Sequence, residues 1–445
     1  MNSTDAECSI NIPGLWHNGD CSLLCRPTKW YDIFIFFLGN YLAHVATVVS
    51  PPGASTITRA LNLIGALLLP FSGVGLGIEA IRSLAIFAST PLETAARAGA
   101  LLMVVRTDPA EEAAKETLRP QRMNSEVASN EASNGRTDPG QDTVPALRER
   151  PRSYRPWMAA RIHGNFWLPE GFKLERVPGD MEFEDNEEDI LTRRKKNGET
   201  PRWYDFLFGF SKRDKTANDI ACSYNGAKAI VAIVQIVFGI YTLYRIRGNQ
   251  VERFGYAAYG LTVTPYALMS IVNLTGNLLR PDYTSMYIVG SSVSDEIQKA
   301  HCFTIATIGR IREPRRPHTL VGLFYLRYLG LYVGAGIHLL IIGLMTDFDK
   351  GQSTLAQRAW TMAWLSIGAG YGVGINMMND YFDSIRDTPY LTSLGNRFGL
   401  GDKFSHVVIG IATLALGVPN IGGFVVVAQM IRQYGVCSKI LDASV

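Results

Sequence analysis

The apolar residues of this chain are gathered into blocks of about twenty that carry almost no charge, the length an α-helix needs to cross the hydrocarbon of a bilayer. Seven stretches qualify, roughly 31–49, 61–88, 227–244, 256–279, 320–346, 359–378 and 404–431. The second and last exceed that length and enclose Pro70 and Pro419–Asn420, so a kink or a division into half-helices is expected in each. A shorter run at 98–105 cannot span alone and reads as interfacial or re-entrant. The expected fold is all-α, a polytopic transmembrane helical bundle of about seven spans, with six to nine admissible, carrying a partly disordered cytosolic insertion.

The rest of the sequence organises itself around these blocks. Residues 1–30 form a polar N-terminal tail, 31–105 the first membrane helices, 106–221 a soluble insertion, 222–432 a second membrane bundle and 433–445 a C-terminal tail. Within the insertion, 107–155 is polar, without an aromatic before Tyr154, and reads as disordered. Trp157, Phe166, Trp167, Phe172 and Val177 supply enough apolar surface for a small ordered unit over 156–180. Hydrophobic residues make up 47% and charged residues 19%, the latter concentrated in this insertion, and the net charge is +3. That balance excludes a soluble cytosolic enzyme, a disulfide-rich secreted domain and a nucleic-acid-binding protein. The partner it implies is the lipid bilayer, in an endomembrane such as the endoplasmic reticulum or in the plasma membrane.

No signal-peptide pattern precedes the first block, which is expected to act as its own anchor. Lys and Arg near the span ends, Arg26, Lys29, Arg97, Arg106 and Lys212 among them, place the N-terminus in the cytosol and the C-terminus outside, with Arg245, Arg247 and Arg253 dissenting. Cys8, Cys21 and Cys25 fit no zinc spacing and are expected as free thiols in a cytosolic tail, although an oxidising lumen would suit them. The Asn2-Ser3-Thr4 sequon is a glycosylation acceptor only in such a lumen.

Polar side chains inside apolar blocks are the candidate functional residues, because each is costly in hydrocarbon unless it has a partner or a purpose. They include Asn40 and His44 in the first block, Asn273 and Asn277 in the fourth, and Arg327 and His338 in the fifth. Gly330-x-x-x-Gly334 and Gly370-x-x-x-Gly374 are expected to let helices approach closely. At the end of the sixth block, Asp380, Asp383 and Asp387 follow Asn379 at i, i+3 and i+7, one face of a continued helix. Three carboxylates on one face suit Mg²⁺ together with substrate phosphates. The string Asn379-Asp380-x-x-Asp383-x-x-x-Asp387 resembles the first aspartate motif of the UbiA-type intramembrane prenyltransferases. That resemblance implies Mg²⁺ and an isoprenyl diphosphate held by the three aspartates with help from Asn379. It covers nine residues, comes after the sixth block where the family has it after the second, and lacks the family's second motif.

Two longer stretches, Lys29 to Val49 and Arg253 to Asn277, resemble a group of multi-pass integral membrane proteins widespread in filamentous fungi, a similarity that extends to His163-Gly164 and Leu168-Pro169-Glu170-Gly171. It implies a fungal origin and membrane placement, and brings no activity with it. Three function classes follow: an accessory or scaffold component of a membrane-associated pathway; a Mg²⁺-dependent enzyme, prenyltransferase or terpene-cyclase-like, acting on a lipid-like diphosphate in secondary metabolism; and a transporter or channel. The last is favoured if Asn40, His44, Asn273, Asn277, Arg327 and His338 converge on one path.

Overall fold

The computed structural model describes residues 8, 12–18, 20–106, 161–164, 168–169, 171–184, 220–246, 249–301, 305–312, 321–374 and 404–440, with the backbone alone for 57, 301, 321–330, 404–410, 412–414 and 416. The chain enters through strand β1 (Leu23–Arg26) and then helix α1 (Trp30–Phe37). Asp32 anchors that start, receiving the Lys29 backbone N–H at 2.8 Å and both ends of the Arg26 guanidinium fork at 2.8 Å. The helix widens into a π segment, Leu38–Leu42, before α2 (Ala43–Thr47).

Next come α3 (Thr56–Leu68), capped by Ser55, and α4 (Val74–Ser83), a helical hairpin. Helix α5 (Pro91–Arg97) has Thr90 as its cap and Pro91 at its first position, the favoured start. It leads into β2 (Leu101–Arg106), and β3 (Phe172–Arg176) and β4 (Cys222–Ser223) follow. Helix α6 (Gly226–Ile246) is the long apolar one, and α7 (Asn249–Phe254) is short. After 3₁₀ turns over 255–263 comes α8 (Thr264–Leu279), then β5 (Asp282–Tyr283), β6 (Tyr287–Gly290), α9 (Ser292–His301) and β7 (Thr307–Arg310). Helix α10 (Val321–Thr346) and α11 (Leu355–Met362), the latter continuing into a second π segment, Ala363–Gly368, precede α12 (Phe404–Tyr434) and β8 (Val436–Lys439).

Three sheets form. β1 pairs antiparallel with β8, β4 with β5, and a mixed four-stranded sheet runs β3-β2-β6-β7. In the last, β2 is antiparallel to β3 and parallel to β6, and β6 is parallel to β7 through the crossover helix α9. Its central strands are apolar on both faces. Leu101 and Met103 point into one core with Leu92, Ala96, Tyr287 and Val289, while Leu102 and Val104 point into the other with Leu174, Ile288 and Ile297.

This architecture overturns the all-α bundle of about seven spans. Among the described residues one helix, α6, is long and apolar enough to cross a membrane by length and composition, and the chain builds sheets as well as helices. Two physical causes stand out. The run at 98–105 is a two-faced buried strand, because a short uninterrupted apolar stretch satisfies a sheet interior without helical length. The block at 61–88 is two shorter helices, because the chain reverses at Leu69–Gly73 around Pro70, which has no N–H to continue α3. Phe172 to Val177, expected in a separate ordered unit, belongs to the same sheet as β2.

The N- and C-terminal parts are also joined rather than set apart. Leu23 to Arg26 registers against Lys439 to Val436, and Cys25 is bonded to Cys437 across the ribbon. Cys8 is bonded to Cys21. The expectation of free thiols fails because the partner of Cys25 lies at the far end of the sequence, brought opposite by strand pairing. β1 and β8 therefore lie side by side.

Candidate functional site

A polar seam runs between α1–α2, α6 and α8. It begins at the first π segment, where an extra residue per turn turns Asn40 and Tyr41 inward; both are fully buried. The Asn40 amide donates to the Phe36 carbonyl at 2.9 Å and accepts from Thr242 at 3.3 Å, while Gln235 of α6 donates to the Asn40 carbonyl at 3.3 Å. Tyr41 shares a 2.6 Å hydrogen bond with Thr262. One turn on, His44 Nδ1 lies 2.8 Å from the Ser270 hydroxyl. Asn273 donates to the Thr47 hydroxyl at 3.4 Å, and Asn277 donates to the Thr47 carbonyl at 2.7 Å.

Three acceptor or donor atoms in this seam, His44 Nε2, Gln235 Oε1 and Asn273 Oδ1, are buried with no partner among the described residues. Such atoms cost about 1–3 kcal/mol each when left unmet, so native interiors rarely keep them without water or a ligand to serve. Gly77 of α4 closes the seam from the side. A Cβ there would stand 3.0 Å from Asn273 Oδ1 and 2.9 Å from Val272 Cγ1. Gly77→Ala is expected to push α4 off α8 at a cost of about 1–3 kcal/mol, seen as a lowered unfolding midpoint in detergent.

The second component is the reversal between α3 and α4. Leu69, Pro70, Phe71 and Gly73 are buried there. The Phe71 N–H donates to the Met269 sulfur at 2.8 Å, and the Tyr266 hydroxyl donates to the Leu67 carbonyl at 2.9 Å. Phe71 holds φ at +68°, a left-handed conformation that costs a non-glycine residue about 1–3 kcal/mol and persists only where the surroundings enforce it. The enforcement comes from the segment after α11, whose Gly368 and Gly372 lie against Pro70. Asn420 of α12 is fully buried beside Gly368, and neither of its amide atoms has a partner among the described residues.

An aromatic cluster joins the two components. Tyr41 lies 5.5 Å from Trp364 and 4.9 Å from Tyr266, and Trp364 lies 4.6 Å from Phe424. Tyr41 and Trp364 each sit in one of the two π segments, so the two irregular turns face each other across the core. At the sheet end Arg280 closes the assembly, donating to the Ser50 carbonyl at 2.9 Å. Burial pulls its guanidinium pKa below the ordinary value, against the opposing pull of Glu79 and Asp282.

Of the expected site residues, Asn40, His44, Asn273 and Asn277 come together in the seam. His338 does not join it. Its Nε2 lies 3.0 Å from the Leu365 carbonyl in the second π segment, and its ring packs 5.5 Å from Phe71 at the hairpin tip. Arg327 lies on the α10 backbone and its side chain is outside the described residues, as are Asn379, Asp380, Asp383 and Asp387 altogether. Among the described residues no group of three His, Cys, Asp or Glu side chains is placed to hold a metal ion.

The glycine expectation needs correcting. Among the described residues a Cβ at Gly334 or Gly370 would meet nothing within 4 Å, and one at Gly374 only the Tyr332 hydroxyl at 3.5 Å, while the surroundings of Gly330 lie outside the described residues. The close approach belongs to Gly368 and Gly372, two residues out of phase with the expected Gly370 and Gly374. Sequence reading also passed over Gln235, Thr47 and Ser270, small polar residues with no spacing signal of their own. Pro70, with Gly73 shortly after it, was the available pointer to the hairpin tip. The chain matches no family model, no curated protein and no solved structure.

Proposed function

We propose that the helical body is embedded in a lipid bilayer and passes a small uncharged polar solute along the seam between α1–α2, α6 and α8. The observation that carries this is an inverted distribution of polarity. Asn40, His44, Gln235, Asn273 and Asn420 are fully buried. Large apolar side chains face outward instead, with Val237 62% exposed, Val333 64% and Leu344 75%. Ile230, Ile233, Val234 and Ile240 extend the outward face of α6, and Val418, Ile421 and Val425 that of α12. In water such a continuous apolar surface would drive association, whereas in lipid it is the low-energy arrangement. The 21 residues of α6 give about 31 Å of helix, close to the hydrocarbon thickness.

The α3–α4 hairpin supports the transport part of the reading. Both limbs return to the sheet end: Gly53, just before α3, donates to the Tyr283 carbonyl at 2.9 Å, and Glu79 of α4 lies 3.5 Å from Arg176 of β3. With 13 and 10 residues, the limbs are about 20 and 15 Å long, enough to reach mid-bilayer and turn back. Irregular backbone at that depth is tolerated where protein covers it or where it lines a polar path. The solute class follows from the lining. Asn, Gln, Thr, Ser and His offer hydrogen bonds without fixed charge, and Arg280 at the sheet end is the one charged residue in the buried set of described residues.

The test is osmotic. The full chain is reconstituted into liposomes, and shrinkage and re-swelling against glycerol and urea gradients are followed by stopped-flow light scattering. Re-swelling at least about tenfold faster than in protein-free liposomes is expected, falling toward that baseline for Asn273→Leu and Gln235→Leu variants that still elute as monodisperse species. Wild-type vesicles that behave like protein-free ones toward both solutes would sink the transport reading and leave an accessory or scaffold role as the better account.

A further inference from the structure

The two ends of α6 differ in what surrounds them, and the disulfides at one of them orient the molecule. At its C-terminal end Arg245 donates to the carbonyl of Cys437, in the ribbon closed by the Cys25–Cys437 disulfide. The same end holds Asn18, which donates to the Tyr434 carbonyl at 2.8 Å and accepts from Arg253 of α7. The Cys8–Cys21 disulfide lies in this N-terminal segment too. At the N-terminal end of α6, Lys228 reaches Asp282 at 3.5 Å and the Val48 carbonyl at 3.4 Å, beside the β4–β5 ladder. The two ends are about 31 Å apart along α6.

We infer that the disulfide ribbon faces an oxidising compartment, the lumen of the endoplasmic reticulum or the space continuous with it, while the four-stranded sheet unit faces the cytosol. Disulfides form and persist on the oxidising side of a membrane and are kept reduced on the cytosolic side. Both disulfides among the described residues lie at the ribbon end. Lys and Arg do not decide the matter, since Arg26, Lys29, Arg245 and Arg253 stand at the ribbon end and Arg97, Arg106, Lys228 and Arg310 at the sheet end. The disulfides therefore outweigh the charge count that placed the N-terminus in the cytosol, because a covalent bond that requires an oxidising compartment is a stricter constraint than a statistical bias at short loops. This orientation rests on the bilayer placement proposed above and not on solute passage.

The test uses the full chain in sealed microsomes with their cytosolic face outward, with two reporters. The natural Asn2-Ser3-Thr4 sequon reports the ribbon end: a glycosidase-sensitive mobility shift that disappears in Asn2→Gln is expected. Glu296→Cys reports the sheet unit; Glu296 is 56% exposed in a surface pair with Arg106, so its loss is mild. A membrane-impermeant maleimide is expected to label Glu296→Cys without detergent. No glycan together with a Glu296→Cys thiol protected until detergent is added overturns the orientation. Release of the protein into an alkaline carbonate supernatant overturns the bilayer placement itself, and so separates the two failures.

Discussion

Gly372→Ala is expected to remove most of the folded protein, with a stability loss of about 3 kcal/mol or more, while Gly370→Ala leaves it within about 0.5 kcal/mol of wild type. The two glycines are two residues apart on one helical segment, so propensity favours alanine equally at both. Their surroundings differ entirely. A Cβ on Gly372 would run into the Pro70 carbonyl oxygen and stand 2.8 Å from the Ser72 nitrogen, whereas one on Gly370 would meet nothing within 4 Å among the described residues. Backbone cannot rotate out of the way as a long side chain can. The hairpin tip would have to withdraw, releasing the positive φ of Phe71 and its hydrogen bond to Met269. Size-exclusion chromatography of detergent extracts after a temperature ramp measures both variants against wild type. Equal midpoints for Gly372→Ala and Gly370→Ala would remove the hairpin contact from the account.

Cys25→Ser is the second large effect. Its disulfide to Cys437 bridges a sequence separation of 412 residues, so it restrains far more of the unfolded chain than Cys8–Cys21, with a separation of 13. In the chain-entropy view longer closed loops give larger stabilisation, and losing a native disulfide costs about 2–5 kcal/mol. Cys25 of β1 is fully buried, paired with Cys437 of β8 on one side and with Trp16 on the other. The expected result is a lowered unfolding midpoint for Cys25→Ser, reproduced in wild type by a strong reductant and not deepened by reductant in the variant. A Cys21→Ser midpoint lowered as far as that of Cys25→Ser would contradict the ordering.

Part of this molecule was open to reading from the residues alone. Asn40, His44, Asn273 and Asn277 announce themselves as polar groups in apolar blocks, and they meet in one seam because α1–α2 and α8 pack along each other through Thr47 and Ser270. Pro70 marked the break in the block at 61–88. The direction of the break was hidden, since a kinked helix and a hairpin share the same local sequence and differ only in whether Gly368 and Gly372 receive the turn. The glycine pairs failed for a related reason. Gly370 and Gly374 have the spacing of a packing motif, yet spacing says nothing about which helix face meets a neighbour.

What the sequence determined by itself is which residues are costly to keep in water: the apolar blocks, with the polar residues carried in them. This is a property of each side chain's own transfer free energy, so it can be read locally. It does not say what replaces the water. Leu101 to Val104 and the set Ile230, Ile233, Val234 and Val237 are comparably apolar, but the first is closed by two protein cores and the second is left outward. That choice, the reversal at Pro70 and the bond between Cys25 and Cys437 belong to the tertiary structure. Each depends on a partner distant in the chain, and no local preference carries information about a contact made hundreds of residues away.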